Sequence, residues 1–344
     1  MTSSLYKELA EQELAAVIDT ALHTKICASR LLTGGLFNTT YLVDTQNCGK
    51  VVLRAGPVNR HLLMPFEHRL MEAENLVYEA CRKKKIPVSE VLAMDLSKTV
   101  IDRDYMIVRY IPSRPLNEVE LPETDRTRIY EDIGKATAQM HTISAPRFGR
   151  IVDVNEGKGF EKWSDCMLDE LGAWESIASE CGLFNARERG EVRALFAEAV
   201  PCLDEIHTPG LVHTDLWLGN VLMSTDTPRP EFAAIIDADR ALWGDVDFEF
   251  SSIHWMLEEE AFWKGYGRKL SMDENTRIRR GIYHLLSRLW NGYVFLKEYN
   301  QPEQAEEERQ LALAQMEELK ELFAFVKGPN PMRKLPCGSR KEEL

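Results

Sequence analysis

Three polar side chains, His213, Asp215 and Asn220, follow one another in the spacing His-x-Asp-x-x-x-x-Asn, and Asp237 ends an apolar run further on. These residue types suit phosphoryl transfer, whose loose transition state is stabilised mainly by positioning and by charge neutralisation. One carboxylate must orient an acceptor hydroxyl and take its proton, and Asp215 suits that role. An amide oxygen and a second carboxylate must hold Mg²⁺, which prefers oxygen ligands, and Asn220 and Asp237 suit that role.

The same residue types also form turns, so a His-x-Asp sequence alone would indicate nothing more than a loop. Three features together favour a catalytic site: the Asp-to-Asn spacing, the strand that ends in Asp237, and an upstream half with the pattern of a nucleotide-binding lobe. Because a motif needs its structural context, it is this combination that predicts a kinase-type site.

This segment resembles the catalytic and metal-binding loops of the aminoglycoside phosphotransferase family, which shares the protein-kinase-like fold. HTDLWLGNVLM is similar to the family pattern His-Gly-Asp-Leu-x-x-x-Asn, and IIDADRALWGD to Ile-Asp-Phe/Trp-x-x-Ala-x-x-Gly-Asp. In one departure, Ala238 and Asp239 replace the aromatic and the small or acidic residue that usually follow the metal-binding Asp. In another, no Lys stands two residues after Asp215, where Ser/Thr protein kinases carry one. That second departure favours a small-molecule acceptor.

The resemblance implies an α+β, protein-kinase-like fold of two lobes. Residues 1–111 would form the N-terminal nucleotide-binding lobe, a five-stranded antiparallel sheet with a helix, and residues 112–327 a larger, mostly helical catalytic lobe. Alternating apolar residues predict strands at 26–33, 39–44, 50–55, 88–95 and 105–111. Apolar residues at helical spacing predict helices at 4–21, 68–84, 125–143, 163–181, 186–206, 248–260, 274–299 and 303–326. The tail, 328–344, lacks periodicity and is expected to be disordered.

The loop between the first two strands resembles the family's phosphate loop, Gly-Gly-x-x-Asn-x-x-Tyr. Its matching residues are Gly34, Gly35, Asn38 and Tyr41. Paired glycines let backbone N–H groups approach a phosphate, although Gly-Gly between strands is also common in ordinary hairpins. The chain contains no G-x-x-x-x-G-K-[ST] pattern, which argues against a P-loop fold.

Arg54 stands in the third strand where protein kinases place the lysine that contacts the α- and β-phosphates. A guanidinium can bind phosphate bidentately, so Arg54 can take that role, although it could also be an ordinary exposed strand residue. By the same resemblance Glu72 is expected to pair with Arg54, with Glu74 as the second choice. Tyr110 and Ile111 would lie in the hinge, where backbone groups meet the adenine ring.

Composition narrows the classes of partner. The net charge of −13 disfavours nucleic acid as a ligand, because phosphate contacts need Lys and Arg. An acidic surface would favour a cationic acceptor, but it also serves solubility. The seven cysteines include no Cys-x-x-Cys pair, which indicates neither a disulfide framework nor a zinc site. Without a signal-like N-terminus or a long apolar run, the protein is expected to be cytoplasmic and not bound to a membrane.

These observations predict a Mg²⁺-dependent phosphotransferase that moves the γ-phosphate of ATP or GTP to a hydroxyl of a small molecule. The acceptor would be an aminoglycoside-like antibiotic or a hydroxylated metabolite, with Asp215 as base and His213 supporting the loop. Asp245 is expected to accept backbone donors of the catalytic loop, and Asp239 to be a second carboxylate near the metal. A protein kinase and a nucleotide-binding module without catalysis remain as alternatives. The first would usually carry G-x-G-x-x-G and Ala-Pro-Glu segments, and the second would be expected to lack the base or a metal ligand.

Overall fold

The first sheet contains five antiparallel strands, as the sequence pattern predicts. The computed structural model describes residues 3–32, 35–251 and 255–327. Gly34 and the tail at 328–344 therefore lie outside the described residues. The strands lie in the order β1-β2-β3-β5-β4, and their bounds are β1 (Ile26–Leu32), β2 (Thr39–Thr45), β3 (Gly49–Ala55), β4 (Val91–Asp95) and β5 (Tyr105–Arg109).

Alternating side chains decide which face of this sheet is buried. Tyr41 and Val43 of β2 and Val51 and Leu53 of β3 are all buried in one apolar cluster. The first helix, α1 (Glu11–Leu22), closes that cluster with its own apolar stripe. This packing follows from the two-residue period of a strand and the 3.6-residue period of a helix.

The helix predicted over 4–21 is wrong at its start, because the structure begins it at Glu11. The preceding residues pair with neighbouring chain instead. Leu5 is fully buried, and its carbonyl accepts a hydrogen bond from the Val58 N–H at 2.9 Å. Tertiary hydrogen bonds thus replace the intrahelical ones that the apolar spacing predicted.

The segment between β3 and α2 (Leu70–Lys83) joins the sheet to the helical lobe. It contains two short 3₁₀ turns, Arg60–Leu62 and Pro65–Arg69. Met64, between the turns, is fully buried in the core of the helical lobe. This segment therefore anchors the sheet lobe to the helical lobe, in addition to the chain connection at Tyr110 and Ile111.

Helices make up most of the remaining chain. Among the described residues, none of the helices is long and apolar enough to cross a membrane. A core of buried aromatic and aliphatic side chains, including Trp163, Trp174 and Tyr283, holds several of them together. Their bounds are α3 (Glu123–His141), α4 (Ile151–Asn155), α5 (Trp163–Cys181), α6 (Ala186–Leu203), α7 (Trp255–Glu258), α8 (Glu260–Tyr266), α9 (Glu274–Tyr293) and α10 (Pro302–Lys327).

Two small sheets carry the loops with the candidate catalytic residues. One has the order β10-β9-β6 and the other β7-β11-β8. Val88 bridges Ile235 in β10, which explains why the strand predicted to start at 88 begins three residues later. The bounds are β6 (Ser113–Pro115), β7 (Gly149–Arg150), β8 (Gly210–Val212), β9 (Val221–Ser224), β10 (Phe232–Ile235) and β11 (Leu242–Gly244).

Two further predicted helices differ from the structure. The helix predicted over 248–260 is divided into a 3₁₀ turn, Val246–Phe250, and the short helices α7 and α8. The helix predicted to run to 299 leaves α-helical geometry at Tyr293 and ends in a π-helical turn, Val294–Glu298. A π turn adds one residue to the helical ring and reorients the side chains that follow it.

Candidate active site

The loop from His213 to Asn220 connects β8 to β9, and internal hydrogen bonds fix its shape. The His213 ring is fully buried. Its Nδ1 accepts the Asp215 N–H at 3.2 Å, so Nε2 carries the proton and donates to the Ile236 carbonyl at 2.9 Å. His213 therefore ties the catalytic loop to the chain just before Asp237, consistent with a supporting role.

Glu249, which the sequence did not single out, also fixes this loop. Its buried carboxylate accepts the backbone N–H groups of His213 at 2.7 Å and Thr214 at 3.1 Å. His141 Nε2 lies 3.2 Å from the same carboxylate, and its Nδ1 lies 2.7 Å from the Tyr266 hydroxyl, so His141 is a packed residue.

The prediction that Asp245 accepts the backbone donors of the catalytic loop is wrong. Asp245 accepts the Asp247 N–H at 3.0 Å and the Tyr283 hydroxyl at 2.8 Å. The segment 245–250 alternates acidic and apolar residues, and its 3₁₀ turn decides which carboxylate faces the loop. Only the backbone geometry distinguishes Glu249 from its acidic neighbours.

Asp215 and Asn220 lie in direct contact. The Asn220 amide Nδ2 donates to the Asp215 carbonyl at 2.8 Å and to its carboxylate at 3.1 Å. Burial, together with the nearby Asp237 carboxylate, raises the pKa of Asp215 to about 6. A carboxylate in this range is a stronger proton acceptor than an ordinary Asp, which suits a general base.

Asp237 lies two residues after β10, with its backbone in the left-handed region at φ 63°. Its N–H donates to the Tyr78 hydroxyl at 2.9 Å, and its carboxylate is hydrogen-bonded to Arg54. Asp239 also faces Arg54, at 3.9 Å. The candidate metal ligand and the candidate phosphate-binding cation thus lie side by side.

The prediction that Glu72 pairs with Arg54 is wrong, and Glu74 takes that place. Arg54 Nη1 donates to Glu74 Oε1 at 2.6 Å, and the Glu74 side chain is fully buried. Glu72 instead accepts from Arg69 at 3.0 and 2.9 Å. Residues two positions apart in a helix point about 200° away from each other around its axis, so Glu72 and Glu74 lie on opposite faces of α2. Glu74 lies on the same buried face of α2 as Tyr78, and the apolar stripe of the helix already indicates which face that is.

Two isosteric substitutions separate these glutamates. Glu74→Gln is expected to destabilise the protein by about 3 kcal/mol, since it removes the charge of a buried partner of Arg54. Glu72→Gln is expected to cost less than about 1 kcal/mol, because the Arg69 pair is partly exposed. Urea unfolding of the two variants measures the difference. Equal losses would contradict the assignment.

The site offers oxygen donors that fit Mg²⁺. Both hydrogen bonds of the Asn220 amide use Nδ2, which leaves its oxygen for a cation, and Asp237 adds a carboxylate. Within the described ranges, no three His, Cys, Asp or Glu side chains form a metal-binding group. Mg²⁺ commonly takes one or two protein oxygens together with substrate phosphates and water, so Asn220 and Asp237 suffice.

The described part of the phosphate loop precedes β2. A Cβ added at Gly35 would lie 3.1 Å from the Asn38 carbonyl, which shows how tight the turn is. The Asn38 side-chain oxygen is buried without a hydrogen-bond partner among the described residues. Tyr41 packs in the sheet core, where its hydroxyl accepts the Leu9 N–H at 2.8 Å. Gly34 lies outside the described residues, and phosphate contacts of Gly35 and Asn38 stay a prediction.

Tyr110 and Ile111 connect β5 to β6 and so to the helical lobe. The Tyr110 N–H donates to the Lys50 carbonyl at 3.4 Å, and the Ile111 carbonyl accepts the Ser113 hydroxyl at 2.8 Å. Their place between the lobes agrees with a hinge, and contact with an adenine ring stays a prediction.

Trp217 lies two residues beyond Asp215 and is 46% exposed. Its ring folds over Gly219, where an added Cβ would lie 2.2 Å from the indole. Any larger residue at 219 would require the Trp217 ring to move. The catalytic loop therefore presents an aromatic surface beside Asp215.

Comparisons with known proteins agree with this architecture. The model of the phosphotransferase enzyme family, APH, matches residues 29–280. No curated protein sequence is detectably similar to this chain.

Solved structures show the same fold at low sequence identity. A candidate fructosamine-3-kinase from Thermobifida fusca has a TM-score of 0.62 at 17% identity, covering 91% of this chain and 100% of that one. A candidate aminoglycoside phosphotransferase from Ralstonia eutropha has a TM-score of 0.61 at 15% identity, covering 92% and 99%. The streptomycin–ATP ternary complex of APH(2")-IIa has a TM-score of 0.62 at 15% identity, covering 90% and 99%.

These likenesses confirm the α+β, protein-kinase-like fold of two lobes, with a five-stranded antiparallel sheet and a larger helical part. The family match spans more than half of the chain and includes the loop of Asp215 and the strand that ends in Asp237. The chain therefore belongs to the phosphotransferase enzyme family, APH.

Proposed function

We propose that this protein transfers the γ-phosphoryl group of ATP or GTP to a hydroxyl of a small molecule. The observation that carries the proposal is that two contacting pairs, Asp215 with Asn220 and Arg54 with Asp237, lie next to each other. The Ile236 N–H, just before Asp237, donates to the Asn220 carbonyl at 2.9 Å, and the Asp237 carboxylate helps to raise the pKa of Asp215. The base Asp215 and the amide of Asn220 lie in one loop. The metal-binding carboxylate, Asp237, and the phosphate-binding cation, Arg54, come from two other parts of the chain. Phosphoryl transfer needs these groups in one cleft.

In this mechanism Asp215 orients the acceptor hydroxyl and accepts its proton as the oxygen bonds to phosphorus. His213 and Glu249 hold the loop, so the carboxylate is positioned before the acceptor arrives. Arg54, braced by the buried Glu74, binds α- and β-phosphate oxygens. Asn220 and Asp237 would hold Mg²⁺, which neutralises phosphate charge when bound. Gly34, Gly35 and Asn38 would cover the phosphates, and Tyr110 and Ile111 would contact the base.

The acceptor class follows from the relatives and from the charge of the chain. Solved relatives include complexes with kanamycin, spectinomycin and streptomycin, and a candidate fructosamine-3-kinase. All of these names denote hydroxylated small molecules that carry amines. A net charge of −13 favours such cationic acceptors by electrostatic steering. We therefore propose an amine-bearing polyol or sugar as acceptor.

A coupled assay of nucleoside-diphosphate release tests this proposal. The protein is incubated with Mg²⁺ and ATP or GTP against a panel of aminoglycosides, amino sugars, glycated amines, choline, homoserine and neutral sugar alcohols. We expect release to depend on one class of amine-bearing acceptor and to vanish in Asp215→Ala. Release that no acceptor stimulates, or that persists in Asp215→Ala, would contradict the proposal.

A further inference from the structure

Arg240 lies three residues beyond Asp237 and has no role in the mechanism described so far. It ends the 3₁₀ turn Ala238–Arg240, and its side chain is 23% exposed. Its guanidinium lies 2.6 Å from Glu67 Oε1, in the segment between β3 and α2. A second cation therefore stands close to the candidate metal-binding strand.

The surroundings of Arg240 place it where three parts of the site meet. Its guanidinium lies 5.7 Å from the ring centre of Phe37 in the phosphate loop. Its carbonyl accepts the hydroxyl of Thr214, the residue before Asp215, at 3.2 Å. Arg240 also ends the 3₁₀ turn that begins directly after Asp237, so the phosphate loop, the catalytic loop and the segment of Asp237 all meet at this residue.

One buried glutamate, Glu67, contacts Arg240, and a second buried glutamate, Glu298, lies close to Glu67. Glu67 accepts the Met64 N–H at 2.8 Å through Oε2 and faces Arg240 through Oε1. Glu298, at the end of the π turn, is fully buried, and neither of its oxygens makes a hydrogen bond of ordinary geometry within the described ranges. Burial and the Glu67 carboxylate raise the pKa of Glu298 well above its usual range. Glu67 is therefore the residue that holds the Arg240 guanidinium in position.

The charge balance of the cleft leaves Arg240 a specific task. The cleft already contains the carboxyl groups of Asp215, Asp237 and Glu74, and a triphosphate would add negative charge to it. Arg54 is already engaged by Glu74 and Asp237. As the γ-phosphoryl group leaves the β-phosphate, negative charge spreads over oxygens that need a further donor. A planar guanidinium can supply two parallel N–H donors without losing a proton.

We propose that Arg240 is a further catalytic residue, whose guanidinium contacts the γ-phosphoryl group and is held in position by Glu67. This inference rests on the proposed function. The bond from phosphorus to the β,γ-bridging oxygen breaks, a bond to the acceptor oxygen forms, and the acceptor proton goes to Asp215. Arg240 exchanges no proton or electron and acts by charge and hydrogen bonding alone.

Binding of tri- and diphosphates tests the inference without knowledge of the acceptor. Calorimetry gives the Kd of Mg²⁺ with ATP, GTP, ADP and GDP for wild type and Arg240→Met. We expect the variant to bind the triphosphate about tenfold more weakly and the diphosphate within about twofold of wild type, because only the γ-phosphate loses a charge-assisted contact. Arg240→Lys should recover part of the lost affinity, since lysine restores the positive charge but not the two parallel N–H donors of the guanidinium.

Arg288→Met is the matched control, because Arg288 is also partly buried, at 27%, and paired with a glutamate, Glu308, at 3.0 Å. It should leave the triphosphate-to-diphosphate ratio unchanged. If Arg240→Met does not fold, Arg240→Gln keeps a donor for Glu67 and should show the same loss. A purely structural lock between the lobes would weaken both nucleotides equally, and an unchanged ratio would overturn the inference. Failure of wild type to bind any nucleotide would overturn the proposed function itself.

Discussion

Asp215→Ala is expected to lower turnover by about 10³-fold while nucleotide affinity stays within about twofold of wild type. General-base assistance supplies about 10²–10⁴-fold in enzymes, and Asp215 is the carboxylate that would provide it here. The carboxylate accepts a hydrogen bond from Asn220 and, among the described residues, none from Arg54, so its loss leaves Arg54 and Asp237 in place. Diphosphate release measures turnover, and calorimetry with the Mg²⁺ nucleotide measures binding.

Asp226→Ala is the control for that variant, because Asp226 is exposed in the turn after β9 and lies outside the cleft. It should leave turnover and binding unchanged. Asp215→Asn would keep the size of the side chain and should be as slow as Asp215→Ala. Turnover near the wild-type value in either Asp215 variant, or a parallel loss of nucleotide binding, would show that Asp215 is not the base.

Asp237→Ala is expected to weaken binding of the Mg²⁺ nucleotide by about tenfold or more and to lower turnover as well. A carboxylate supplies most of the protein's charge toward a hard cation, and Asn220 contributes only a neutral oxygen. The effect should therefore depend on Mg²⁺. In wild type, Mg²⁺ should strengthen nucleotide binding relative to EDTA, and in Asp237→Ala this difference should nearly disappear.

Asp239→Ala gives the comparison for the metal site. Asp239 is buried beside Asp237, and both carboxylates face Arg54. If Asp237 is the principal ligand, Asp239→Ala should keep most of the Mg²⁺ dependence. A complete loss in Asp239→Ala with little change in Asp237→Ala would reverse the two roles.

The centre of the site can be predicted from the sequence because its residues lie close together along the chain. His213, Asp215 and Asn220 lie within one loop, and Asp237 follows β10 closely, so the motif can be recognised from the spacing of these residues in the sequence. The strands of the first sheet were predicted for a similar reason, since alternation needs only a few residues. The sequence of α2 also contains the information that favours Glu74 over Glu72 as the partner of Arg54, because Glu74 lies on the same helical face as the buried Tyr78.

Other features depend on packing between distant segments and could not be read in this way. Glu249 reaches the catalytic loop only because a 3₁₀ turn aims it there. The Glu67–Arg240 pair joins residues far apart in sequence, and the π turn that buries Glu298 interrupts a pattern that is helical throughout. Extended pairing of Leu5 with Val58 likewise overrides an apolar spacing typical of a helix.

The fate of the γ-phosphate tests the central claim most directly. Wild type and Asp215→Ala are incubated with Mg²⁺, γ-³²P-labelled ATP or GTP and the acceptor that best stimulates diphosphate release, and the products are separated. We expect the label on the small molecule in wild type and almost none there in Asp215→Ala. Label found only on protein would indicate a protein kinase, and label found only as inorganic phosphate would indicate hydrolysis. Either result would contradict transfer to a small-molecule hydroxyl.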